Sequence, residues 1–216
     1  VLLVEDWPMG SLKLVKTGLV NETCSDNPSE TKVLSGVEFT LKKVKADLSV
    51  DTSFRAITVV TDSNGEADFT QLPTGTYEIT ETGTVDNYIL KSDKYYVTIN
   101  ADGTNNGLKD ADGNNVSGNT IVNDLPRTDI EILKVNLDDN NEKLPGSTYG
   151  LFEKDAEDNL KKIAESTTDS EGVLRFEGVI PDKEYTIKEL VAPNGYYVSE
   201  NPITITYEVD RTGKLV

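Results

Sequence analysis

The chain has 216 residues, 36% of them hydrophobic, and its 21 basic against 38 acidic side chains give a net charge of −17. That charge opposes the phosphate neutralisation on which nucleic-acid binding depends and binding to anionic membrane surfaces, and no apolar run approaches the ~20 residues that span a bilayer. Histidine is absent, which removes Ser-His-Asp and Cys-His catalysis and histidine zinc sites, and the single cysteine cannot close an internal disulfide.

Taken in chain order, "VLLVED" opens in mid-strand, and residues 1–8 read as the last strand of a preceding domain or as a linker. "SLKLVK" (11–16) alternates with period two, so Leu12, Leu14 and Lys16 share one face. Cys24 sits in the polar stretch "NETCSDNPSE" and reads as a free surface thiol in a loop, with no base to activate it. "LSGVEFTL" (34–41) is a strand, and "TDSNGEADF" (61–69) reads as a hairpin turn whose Gly supplies positive φ. In "YEITE" (77–81) Glu81 shares a face with Tyr77 and Ile79; in "TIVND" (120–124) Asn123 shares one with Ile121. Long loops are expected at 17–33 and 100–119.

The same elements then recur, which marks an internal repeat. "DIEILK" (129–134) answers "SLKLVK", with Lys134 ending the stripe of Ile130 and Ile132. "LPGSTYGL" (144–151), "TDSEGVLRF" (168–176) and "YTIKE" (185–189) answer the later strands, and Glu189 takes the place of Glu81. "EKDAEDNLKKIAE" (153–165) is the best helix candidate, yet fits a charged hairpin equally well. Short alternating strands joined by Gly, Asn, Asp and Pro predict an all-β chain of two tandem antiparallel β-sandwiches. The boundaries are 9–126 and 127–216, with the final strand of the second domain apparently missing. "LVEDWPMGSLKLVK" (3–16) aligns without gaps to "IVNDLPRTDIEILK" (121–134), and Glu5 falls where Asn123 stands.

The lysine and glutamate that end these stripes are the informative feature. One such lysine is ordinarily a snorkelling side chain, and a buried Lys–Glu ion pair barely offsets its desolvation. Recurrence of both at matched positions favours a third reading. Burial lowers a lysine pKa and raises that of a carboxylic acid, so the pair can stand as neutral amine and neutral acid. A neutral amine held against a side-chain amide is a nucleophile beside an electrophile, with the acid relaying protons to departing ammonia. The product is an intramolecular Lys–Asn isopeptide bond.

"YTIKELVAPNGYY" (185–197) resembles the E-box segment of Cna B-type (SpaA-like, prealbumin-like) domains, the Greek-key sandwiches of Gram-positive surface adhesins and pilins. "LPGSTYGLF", "TTDSEGVLRFEGV", "SLKLVK" and "DIEILK" resemble that family's other strands, over nearly all of residues 9–216. The resemblance implies Lys16 as amine, Asn123 as amide and Glu81 as isopeptide-promoting acid in the first domain. It implies Lys134 and Glu189 in the first and third roles in the second, with the Asn partner outside residues 1–216. Copy one's "ETGTVDNY" departs from the Ala-Pro-x-Gly of copy two.

The function so implied is a structural stalk of an extracellular, wall-anchored adhesin or pilus protein, not an enzyme beyond one self-cross-linking turnover. Its partners are neighbouring domains of the same protein, other pilus subunits or a host matrix protein, with no nucleic acid and no membrane contact. The alternative is a ligand-binding adhesin module that touches host or matrix components through the long loops. No cofactor is called for. "KDADGNN" (109–115) and "NLDDNNEK" (136–143) lack EF-hand spacing and read as turns rather than calcium sites.

Overall fold

The structure, a computed structural model, describes residues 8–20 and 30–208. Trp7, Cys24 and residues 1–7 of the expected leading strand lie outside the described residues. Two compact units divide between Leu125 and Pro126.

The first unit contains β1 (Gly10–Leu19), β2 (Thr31–Val33), β3 (Glu38–Val44), β4 (Ile57–Val60), β5 (Glu66–Leu72), β6 (Gly75–Gly83), β7 (Lys94–Ile99) and β8 (Thr120–Asn123). One sheet is built on β1. Antiparallel β5 and β2 occupy successive lengths of one edge, and parallel β8 lies along the other. The second sheet has the order β4-β3-β6-β7. Alternation turns Leu12, Leu14, Phe69 and Ile121 of the first sheet, and Phe39, Leu41, Tyr77, Ile79, Val97 and Ile99 of the second, into a buried core. A 3-10 turn at Ser117–Asn119 leads into β8 and is the only helical element among the described residues.

The second unit repeats the plan with β9 (Thr128–Leu133), β10 (Thr148–Lys154), β11 (Leu160–Thr167), β12 (Val173–Val179), β13 (Tyr185–Val191) and β14 (Ile203–Ile205). Its sheets are β12-β9 and β11-β10-β13-β14. Tyr149, Leu151, Leu174, Phe176, Val179, Tyr185 and Ile187 form the core, with Ile130 and Ile132 packed against it but only partly buried. Among the described residues β9 pairs with β12 alone, whereas its counterpart β1 is flanked on both edges.

Two expectations change, and one open alternative is decided. "TDSNG" and "TDSEG" are not hairpin turns: each carries the chain from one sheet to the other, since β4 and β11 pair with β3 and β10 while β5 and β12 pair with β1 and β9. The positive φ is present, 72° at Gly65 and 71° at Gly172. The loop expected at 17–33 is shorter, because β1 runs on to Leu19 and Thr31–Val33 pairs back onto it. Residues 153–165 resolve into the hairpin, with the β10–β11 turn closed by Asp155 accepting from the backbone N–H groups of Glu157 and Asn159.

A buried threonine ties the crossover to the core in both units. The Thr61 hydroxyl donates to the Leu34 carbonyl and accepts from the Val37 N–H at 3.0 Å; Thr168 does the same for Leu144 and Ser147. Thr61→Val keeps the volume but strands both backbone groups. It is expected to cost about 1–3 kcal/mol, read as a lower midpoint in urea denaturation.

Candidate functional site

The backbone that presents each lysine is held at both its N–H and its C=O. Lys16 N–H donates to the Gly65 carbonyl at 2.7 Å, and the Lys16 carbonyl accepts from Leu34 N–H at 2.9 Å. Lys134 repeats the clamp with Gly172 (2.8 Å) and Leu144 (3.1 Å). A Cβ on Gly65 would stand 2.6 Å from the Lys16 carbonyl oxygen, and one on Gly172 2.7 Å from that of Lys134. These glycines therefore serve close approach as well as positive φ.

The structure brings Lys16, Glu81 and Asn123 together. Lys16 is fully buried, and its stem runs along the stripe begun by Leu12 and Leu14. In the parallel β1–β8 pairing Lys16 stands opposite Ile121 and Gly18 opposite Asn123. Lys16 and Asn123 are thus diagonal neighbours on the inward face. Lys16 Nζ donates to Asn123 Oδ1 at 2.5 Å and to the Ile121 carbonyl at 3.3 Å. Glu81, on β6 of the facing sheet, has its Oε2 at 3.3 Å from the same amine. Asn123 Nδ2 donates to Glu81 Oε1 at 2.6 Å and to Thr84 Oγ1 at 3.0 Å. Asn123 and Thr84 are both buried.

Burial pushes the Lys16 amine down to about 8, with the Glu81 carboxylate opposing the shift. The amine is thereby brought within reach of its neutral, nucleophilic form near physiological pH.

In the second unit Lys134 Nζ lies 3.2 Å from Glu189 Oε1, and the lysine side chain is 24% exposed. Glu189 accepts from the Ser147 hydroxyl at 2.5 Å and from Ser199 N–H at 2.7 Å. Burial acts to raise the Glu189 pKa, but the hydrogen bonds from Ser147, Ser199 and Lys134 outweigh it and leave it lowered. Burial likewise acts to lower the Lys134 pKa, and Tyr149 and Glu189 outweigh it. The same residue types therefore form an ion pair here, not the neutral pair expected for both copies. Partial exposure of the lysine is the physical reason.

The model of the SpaA prealbumin-like fold domain matches twice, at residues 25–113 and 128–216. The chain belongs to the SpaA prealbumin-like domain family. The first SpaA match contains Glu81 but neither Lys16 nor Asn123; the second contains Lys134 and Glu189. No curated protein matches the chain. Among solved structures it is similar to the Bacillus anthracis TIE protein at 25% identity and a TM-score of 0.65, over 92% of this chain and 31% of that one. The chain thus spans less than a third of that relative's length. Weaker likenesses include a C-terminal fragment of the pilus adhesin SpaC from Lactobacillus rhamnosus GG (19% identity, 94% and 84% coverage, TM-score 0.47). Another is BcpA, the major pilin subunit of Bacillus cereus (16% identity, 91% and 95% coverage, TM-score 0.32).

Sequence reasoning missed the polar residues around the site. Thr61 and Thr168 had a signal, since both open the repeated "TDS-x-G" segment. Thr84 and Ser147 had none, because the other copy has Ala192 and Val37 at those positions.

The lowered pKa of Lys16 fixes a pH dependence for SpaA unit 1 before any bond forms. The unfolded lysine titrates near 10.5 and the folded one near 8, so between those values the unfolded chain holds a proton that the folded one has lost. Stability therefore rises with pH across that window and is lowest below it. In Asn123→Ala chains, which keep the amine free, stability should rise by about 1–2 kcal/mol from pH 8 to 9.5 relative to Asn123→Ala/Lys16→Met. Urea midpoints of the two variants, measured in parallel, check this.

Proposed function

We propose that this chain is a load-bearing stalk segment of a Gram-positive cell-surface adhesin or pilus protein, stiffened in its first SpaA domain by an autocatalytic Lys16–Asn123 isopeptide bond. The observation that carries the reading is the buried meeting of an amine on β1 and an amide on β8, the first and last strands of that unit, with a carboxyl from β6. Membership of the SpaA prealbumin-like domain family supports a structural role of this kind.

In the proposed reaction neutral Lys16 Nζ attacks Asn123 Cγ. The Glu81 carboxyl, which accepts from the amide N–H, takes a proton from Nζ and passes one to Nδ2. The Nζ–Cγ bond forms, the Cγ–Nδ2 bond breaks, one ammonia leaves and Glu81 ends as it began. The chemistry is single-turnover because the chain is both reactants, and preorganisation in the core supplies the effective concentration. Charge separation in the intermediate is met by groups already aimed at it, without solvent reorganisation.

Residues 16 and 123 are 107 apart in sequence. Closing a loop of that size stabilises by about 4–5 kcal/mol through the unfolded state, on the chain-entropy estimate used for disulfides. Mechanically, a covalent tie between parallel β1 and β8 lets tension pass between the ends of the unit without shearing its ladders. For the second SpaA domain, Lys134 and Glu189 are proposed to act on an amide that no described residue supplies.

The test is intact mass. The wild-type chain should be lighter by one ammonia than its composition requires, and Lys16→Ala or Glu81→Ala should have the full mass and unfold at markedly lower denaturant concentration. A wild-type chain of full mass would refute the bond.

A further inference from the structure

The site contains one polar group that neither the repeat nor the resemblance assigns. Asn123 Nδ2 is the nitrogen that must depart, and each of its hydrogens has an acceptor: Glu81 Oε1 at 2.6 Å and Thr84 Oγ1 at 3.0 Å. Thr84 lies just past β6 and is buried. We propose that the Thr84 hydroxyl is part of the cross-linking machinery, holding the Asn123 carboxamide with its nitrogen toward Glu81 and its oxygen toward Lys16. This inference rests on the cross-link proposed above.

The physical argument starts from the amide itself. The two ends of an Asn side chain have nearly the same shape, so polar partners decide which end faces which neighbour. With Thr84 in place both N–H bonds are satisfied and the amide plane is fixed from two directions. Without the hydroxyl, one buried N–H loses its partner and the plane can turn about χ2, leaving the geometry from which Nζ reaches Cγ less populated. As the nitrogen becomes ammonia it still carries a hydrogen directed at Thr84, so the hydroxyl accompanies it through bond breaking.

The second unit offers a comparison within the same chain. Phe39 stands opposite Glu81 and Tyr149 opposite Glu189, which aligns the two sites residue by residue. At the place of Thr84 the second unit has Ala192, and at the place of Ser147 the first has Val37. A hydroxyl from a different position thus reaches each glutamate site, to different effect. Ser147 donates to the Glu189 carboxylate and favours its ionised form; Thr84 accepts from the amide instead. Copy one's departure from Ala-Pro-x-Gly is, on this view, functional: it places a hydroxyl against the leaving group.

The experiment is a time course of ammonia loss by intact mass, during cell-free synthesis of the full chain. The variants are wild type, Thr84→Ser, Thr84→Ala and Thr84→Val. Thr84→Ser should react within about threefold of wild type. Thr84→Ala and Thr84→Val should be slower by about tenfold or more, the rate equivalent of one lost hydrogen bond. All rates are taken well below the thermal midpoints that the same Thr84 variants show in a Lys16→Met background, which cannot cross-link, so that the lower stability expected of Thr84→Ala does not account for its slower reaction. Equal rates for the Ser and Ala variants would overturn the assignment while leaving the cross-link standing. A wild-type chain that never loses ammonia would instead overturn the cross-link itself.

Discussion

A lysine amine with no access to water is the constraint on which the first unit turns. Its head group must find partners inside the sandwich, and it finds the Asn123 amide, the Ile121 carbonyl and the Glu81 carboxyl. If this were only an ion pair, desolvation would cancel most of its attraction. Held partly neutral by burial, the amine costs less to keep, and in the proposed reaction the same burial makes it a nucleophile.

The rest of the unit can be read as support for that placement. The Gly65 crossover and Leu34 fix the lysine backbone, and Thr61 fixes the crossover. Parallel pairing of β8 on β1 sets Asn123 one diagonal step from the lysine, and the facing sheet supplies Glu81 and Thr84. Three segments, β1, the end of β6 and β8, meet at one amide. None of these contacts is strong alone, but each removes a degree of freedom that an unassisted amine–amide reaction would have to find by chance.

Much of this was legible in the chain. Period-two alternation gave the strands, and the repeated Lys and Glu at the ends of apolar stripes gave the site. Strand pairing was less legible, because "TDSNG" has the chemistry of a turn whether it joins neighbours in one sheet or crosses between two. Ionisation was illegible for a different reason. Lys16 and Lys134 have matching local sequence, yet one is sealed by β8 and the other remains a quarter exposed, so their pKa values move in opposite directions. Thr84 was invisible because it departs from the other copy, and a repeat highlights only what it keeps.

The most direct test of the central claim is the covalent connectivity of residue 16. Complete tryptic digestion of the wild-type chain followed by fragmentation mass spectrometry should yield one branched peptide, uncleaved after Lys16 and joined through its side chain to the segment that contains Asn123. Recovery of Lys16 and Asn123 only in separate linear peptides, with the Asn123 amide intact, would contradict the account.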